Sequence, residues 1–137
     1  MITFHSLTDF NLNDKNKIAK WIEFCIHHEN KELGEIAYVF CTDEYLLNKN
    51  LKYLKHNTLT DIISFDYSLD RLISGDIFIS VERVTENASD LNVVFSAELQ
   101  RIMIHGVLHF CGYRDKKEED KTIMTSKEDY YLSLRTF

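Results

Sequence analysis

Three residues late in the chain carry metal-binding side chains at a spacing that lets them meet: His105, His109 and Asp115. Histidines four apart on a helix lie on one face, one turn apart. Gly112 stands three residues after the second histidine, where a helix stops readily, because glycine takes the left-handed C-terminal conformation without steric cost. A chain that turns back there can bring the Asp115 carboxylate to the same point. Two imidazole nitrogens and one carboxylate oxygen are normal zinc ligands. Three protein ligands leave a fourth position for water, as hydrolysis requires.

Other readings of these residues stay open. A lone histidine on an apolar helix is more often a hydrogen-bonded core residue. Asp115 lies in the charged stretch Arg114 to Lys121, where a solvated carboxylate is ordinary. Two histidines and a carboxylate also describe the facial triad of non-haem iron oxygenases. Zinc ranks above iron because the ligands come from one helix and its exit. A structural zinc would close with four ligands and favour cysteine. Cys111 is adjacent but lies about 200° round the helix from His109, and so faces away. A peptidase of the H-E-x-x-H kind needs glutamate straight after the first histidine, and here that residue is Gly106.

The elements that must position this constellation follow from periodicity. Phe95 to Cys111 is apolar nearly all round and predicts a buried helix. Ile18, Trp21, Ile22, Cys25 and Ile26 form one apolar stripe within a helix over Asp14 to His28. A second helix is expected over Glu44 to Leu54, with Leu47, Leu51 and Leu54 on one side. Val84, Ala88 and Leu91 mark a third. Lys116 to Leu134 reads as a charged C-terminal helix with Met124 and Tyr131 facing inward. Strands are expected at Ile2 to His5, Glu35 to Cys41, Ile62 to Tyr67 and Asp76 to Glu82, with Gly75 turning the chain before the last. Glu35 to Cys41 is apolar on both faces and predicts a central strand. His56 to Thr60 reads as a polar loop. Strands and helices mix without strict alternation, so the fold expected is α+β: one domain over residues 1–137, with about four strands in a mixed sheet covered by about five helices.

Composition agrees with one domain. The chain has 137 residues, 45% hydrophobic and 28% charged, no proline and four glycines, which suits a single packed core. Its three cysteines, an odd number in apolar stretches, read as reduced core thiols. The beginning of the chain has no signal-peptide pattern, and no apolar run is long enough to span a membrane. A cytoplasmic location without membrane partners is expected. The net charge of −6 leans against a simple nucleic-acid binder, although the field inside a cleft matters more than the total.

The segment His105-Gly-Val-Leu-His109-Phe-Cys-Gly112-Tyr113 resembles the YbeY family of bacterial metal-dependent endoribonucleases, whose motif is H-G-x-L-H-L-x-G-Y-D-H. The family's T-D-V-L-S-F is similar to Thr60-Asp-Ile-Ile-Ser-Phe65, and its G-D-I-x-I-S to Gly75-Asp-Ile-Phe-Ile-Ser80. Glu98-Leu99, Met124 and Glu128 also fit. The resemblance implies an α+β fold with zinc in a cleft and cleavage of single-stranded RNA. It further implies maturation of the 3′ end of small-subunit ribosomal RNA and ribosome quality control, with the ribosome or small-subunit assembly factors as partners. Two positions depart from the pattern. Asp115 stands where the family has its third histidine, which lowers the site's charge by one and makes metal-bound water less acidic. Leu54 stands where the family has an arginine.

The resulting expectation is metal-assisted hydrolysis of RNA. Lys55 or His56, with Lys52 and Arg101 nearby, would supply positive charge for the phosphate. Ser64 would bind a phosphate or support the site, and Glu98 would orient a histidine ligand through its free ring nitrogen, with Arg101 on the same helical face. Two rivals remain: a metal hydrolase of peptides or small esters, and a non-catalytic ribosome-binding factor whose metal only fixes the fold.

Overall fold

The computed structural model describes residues 1–54 and 59–137. The sequence folds as β1 (Ile2–Ser6), α1 (Lys15–His28), β2 (Glu32–Cys41), α2 (Asp43–Lys49) with a π-helical last turn (Asn50–Leu54), β3 (Ile62–Asp66), β4 (Leu72–Ser80), α3 (Val81–Leu91), α4 (Phe95–Phe110) and α5 (Glu118–Ser133). Four strands form one mixed sheet in the order β1-β2-β4-β3. β1, β2 and β4 run parallel, and β3 pairs antiparallel with β4. Together with the five α-helices of the described residues this is the α+β domain expected.

The main core lies on one face of the sheet. Ile36, Tyr38 and Phe40 of β2 and Ile73, Ile77 and Ile79 of β4 meet Ile18, Trp21, Ile22 and Ile26 of α1 and Met103, Ile104, Val107 and Leu108 of α4. On the other face a smaller cluster of Cys41, Leu46 and Ile63 packs with Phe65 and Phe78 beneath α2. β2 is therefore fully buried on one side only, with Ala37 and Val39 half-exposed on the other. Side chains cap the starts of α2 and α3: Thr42 Oγ1 accepts from Tyr45 N–H at 3.1 Å, and Ser80 Oγ accepts from Arg83 N–H at 3.1 Å.

Two glycines, Gly75, expected to turn the chain, and Gly34, are close approaches inside strands. Gly75 lies within β4, which begins three residues earlier. A Cβ there would stand 2.4 Å from the Phe65 carbonyl oxygen and 2.5 Å from the Phe110 ring. Gly34 lies within β2 at a register irregularity between Leu33 and Ile36, and its Cβ would meet Ser74 Oγ. β4 ends two residues before the expected boundary because Ser80 leaves the strand to cap α3. The second helix presents Leu46 and Asn50 to the interior. Leu51, expected inside, is exposed, because the pocket between Cys41 and Ile63 receives the neighbouring stripe. Leu91 of α3 is likewise exposed. Among the described residues, no helix is long and apolar enough to cross a membrane.

α4 is pinned to the sheet in three places. Gly106 is tight against Ile62 and Ile77, the Phe110 ring lies over Gly75, and Tyr38 Oη donates to the Met103 carbonyl at 3.0 Å. The helix stripe that holds His105 and His109 is thereby fixed beside β3 and α5.

Candidate metal centre

The side chains of His105, His109 and Asp115 converge. His105 Nε2 and His109 Nε2 are 3.0 Å apart, and each lies 3.2 Å from Asp115 Oδ2. Gly112, with φ of +109°, makes the turn that returns Asp115 to the helix. Three atoms bonded to one tetrahedral zinc stand roughly 3.3 Å apart, so the triangle has the size the ion demands. Among the described residues it is the one group of three or more metal-binding side chains close enough to share an ion.

The hydrogen bonds behind the histidines decide which atoms face inward. His105 Nδ1 lies 2.6 Å from Glu128 Oε2, and His109 Nδ1 lies 2.9 Å from the Tyr113 carbonyl oxygen. Both partners are acceptors, so each Nδ1 carries its hydrogen and each neutral imidazole turns its Nε2 lone pair to the centre. In that state three electron-rich atoms face one another. Such a cluster could hold a metal ion. Burial alone would push His105 down, but the hydrogen bond and charge of Glu128, then Asp115 and Asp61, outweigh it and raise its pKa above 6.5. The proton thus answers the same field that a metal would.

The triangle borders a cleft of about 320 Å³ lined by Asp61, Ile62, Glu98, Arg101, Ile102, His105, Asp115 and Glu128. Its described lining is acidic, contrary to the basic cleft expected. Burial pushes the Asp61 carboxyl up, although Asn87 and the charges of His105 and Arg83 oppose it. Burial likewise raises Glu98, and the charges of Asp61 and Glu128 add to it against Arg101. Arg101 is spent on pairs with α5: Nη1 donates to Glu128 Oε1 at 2.8 Å and Nη2 to Asp129 Oδ1 at 2.6 Å.

The other expected site residues separate. Glu98 is buried in the cleft wall, but the carboxylate on a ligand histidine is that of Glu128. Ser64 lies opposite Ile77 on the α4 side of β3, beneath the helix and outside the cleft lining. Lys52 is exposed, its Nζ 5.2 Å from the Tyr53 ring centroid. Lys55 and His56 lie outside the described residues, as does most of the expected loop from His56 to Thr60. Cys111 is half-buried, and burial pushes its thiol up to about 12, so it stays protonated and off the centre. Cys25 and Cys41 are buried free thiols.

A family profile described as Endoribonuclease YbeY matches residues 3–135. The chain belongs to the YbeY family. A protein named Endoribonuclease YbeY from Flavobacterium psychrophilum is 54% identical over 134 residues, 98% of this chain and 96% of its own length. Its namesake from Bacteroides fragilis is 43% identical over 121 residues, 88% of this chain and 87% of its own. A solution structure from Thermotoga maritima shares the fold, with a TM-score of 0.68 at 20% identity over 97% of this chain and 87% of its own. At the position of the YbeY motif's third histidine, it is the Asp115 carboxylate that closes the triangle.

Glu128 and Asp61 were not assigned roles from the sequence. Glu128 carried a usable signal: with Met124 and Tyr131 it occupies the single buried stripe of α5, and a carboxylate on a buried stripe demands a partner. Asp61 carried no such periodicity, because it precedes β3 in irregular chain.

Proposed function

We propose that the chain is a single-strand-specific, metal-dependent endoribonuclease, cytoplasmic, acting with zinc in maturation of the 3′ end of small-subunit ribosomal RNA and in ribosome quality control. One observation carries the proposal: in a YbeY-family chain, two imidazole Nε2 atoms and a carboxylate oxygen meet within 3.2 Å while both Nδ1 atoms are held by acceptors. The triangle matches the donor set and size of a zinc centre. When bound, the ion supplies Lewis acidity toward a phosphoryl oxygen and makes bound water more acidic.

The chain's own groups do the rest. His105, His109 and Asp115 hold the ion. Glu128 and the Tyr113 carbonyl fix the two rings and turn both Nε2 atoms toward it. Asp61 and Glu98, with raised pKa values beside His105, hold protons more firmly than surface carboxyls do. Raised pKa values favour them as donors of a proton to a leaving oxygen. The ion's positive charge would offset the acidic lining beside the scissile phosphate, with Lys55 and His56 as the proposed contacts for the rest of the RNA backbone.

The test pairs cleavage with binding on an unstructured fragment of small-subunit ribosomal RNA. His105→Ala is expected to abolish cleavage while keeping much of the RNA affinity. That affinity should fall with salt at a slope of about −0.7 per neutralised phosphate. Wild-type cleavage by His105→Ala, in protein free of contaminating nuclease, would leave a non-catalytic ribosome factor. Affinity indifferent to salt would move the substrate to an uncharged peptide or ester.

A further inference from the structure

We propose that Glu29, one residue past α1, is a positioning residue for the metal centre, acting through both groups that orient the ligand histidines. The inference rests on the metal reading of the His105, His109 and Asp115 triangle.

Glu29 gathers three donors from two other parts of the chain. Tyr113 Oη donates to Oε1 at 2.6 Å. Tyr131 Oη donates to Oε2, and Lys127 Nζ approaches the same oxygen at 3.3 Å. The side chain is only 10% exposed. Nothing in α1 itself calls for a carboxylate there. Glu29 caps the C-terminus of the helix, where the aligned peptide dipoles disfavour negative charge. Its placement is explained by what it holds.

What it holds is the support of both rings. Tyr113 belongs to the turn between α4 and α5, and its carbonyl receives His109 Nδ1 at 2.9 Å. That turn is exposed at Gly112, Arg114, Lys116 and Lys117, so the Tyr113 side chain is its anchor, with Lys127 Nζ 5.5 Å from the ring centroid. Two residues further along the same turn stands Asp115. Lys127 and Tyr131 sit on α5 around Glu128, whose carboxylate meets His105 Nδ1. One buried carboxylate therefore ties the carbonyl behind His109, the turn that delivers Asp115 and the helix that delivers Glu128 to the fixed end of α1.

Loss of an outer partner of a metal ligand costs roughly 10- to 100-fold in metal affinity. Zinc dissociation constants measured by chelator competition test the idea without reference to nuclease activity. Glu29→Gln and Tyr113→Phe are each expected to weaken zinc binding about tenfold. The double variant should lose less than the two single losses combined, because both variants disturb the shared Tyr113–Glu29 contact. Thr42→Ala, which removes the α2 cap on the opposite face of the sheet, serves as a control: it lowers the thermal midpoint of the zinc-free chain and leaves the zinc constant unchanged. Tyr113→Phe keeps the buried ring and so remains informative if Glu29→Gln folds poorly. Wild-type affinity in both single variants would overturn the inference, as would losses that simply add. A wild-type chain that binds no zinc would overturn the metal centre as well, and is a distinguishable result.

Discussion

Glu128 Oε2 lies 2.6 Å from His105 Nδ1 across the interface of α4 and α5, nearer than Asp115 comes to the same ring. Glu128 is buried, and its other oxygen receives Arg101. Glu128→Ala therefore removes the acceptor that fixes the His105 tautomer and leaves the half-buried Arg101 guanidinium with Asp129 alone. Zinc affinity should fall at least tenfold. Stability should fall by about 1–3 kcal/mol, the cost of leaving His105 Nδ1 without its acceptor. Chelator competition and urea unfolding of the zinc-free protein measure the two separately. Unchanged zinc affinity would show that the carboxylate only serves packing.

Asp115→Ala removes one corner of the triangle and should weaken zinc binding tenfold or more. Asp115→His restores the YbeY motif's histidine, and affinity should stay equal or improve. The metal-bound site would gain one unit of positive charge, so the pH at which cleavage reaches half its maximum should move down. Equal zinc affinity for wild type and Asp115→Ala would remove Asp115 from the ligand set.

The legible parts of this protein were those with periodicity or local spacing. The α1 stripe, the buried α4 and the pair His105 and His109 follow from a 3.6-residue repeat. The turn at Gly112 follows from glycine's freedom at positive φ. Partners brought in from distant chain were not legible. Glu98 shares the face of His105 in sequence, yet Glu128, 23 residues on, holds the ring, because α5 packs its buried stripe against α4. The Leu46 stripe prevailed over Leu51 for the same reason: which side of a helix faces inward depends on the pocket it meets.

Gly75 shows the limit most plainly. Read alone it is a turn residue, whereas it lies within β4 beneath Phe110. Gly75→Ala would put a methyl group 2.4 Å from the Phe65 carbonyl, which belongs to backbone and cannot move aside cheaply. The expected loss is about 1–3 kcal/mol or more, as for other overpacked sites. Because Phe110 adjoins His109, zinc affinity should fall too. Gly112→Ala meets no neighbour within 4 Å, but its φ of +109° strains any L residue. Urea midpoints for both variants would test this, and a stable Gly75→Ala would show that β3 and α4 can both give way around β4.

Glu29 also makes a pH prediction. Burial would raise its carboxyl, but the hydrogen bonds of Tyr113 and Tyr131 and the charge of Lys127 outweigh that and hold it below its ordinary 4.5. A depressed folded-state pKa means that the unfolded chain takes up the proton first. The stabilisation is thus complete above the unfolded value and disappears as pH falls through the folded one. In Glu29→Gln this titration is absent. For zinc-free protein, with chelator present, the variant should be clearly less stable than wild type at neutral pH. The gap should narrow below about pH 4.5 and largely close once wild-type Glu29 is protonated. Thermal or urea midpoints from neutral pH into the acid range would measure it. A gap that stays constant with pH would mean that Glu29 stabilises the fold through its shape alone, and that its charge does not hold Tyr113, Tyr131 and Lys127 together.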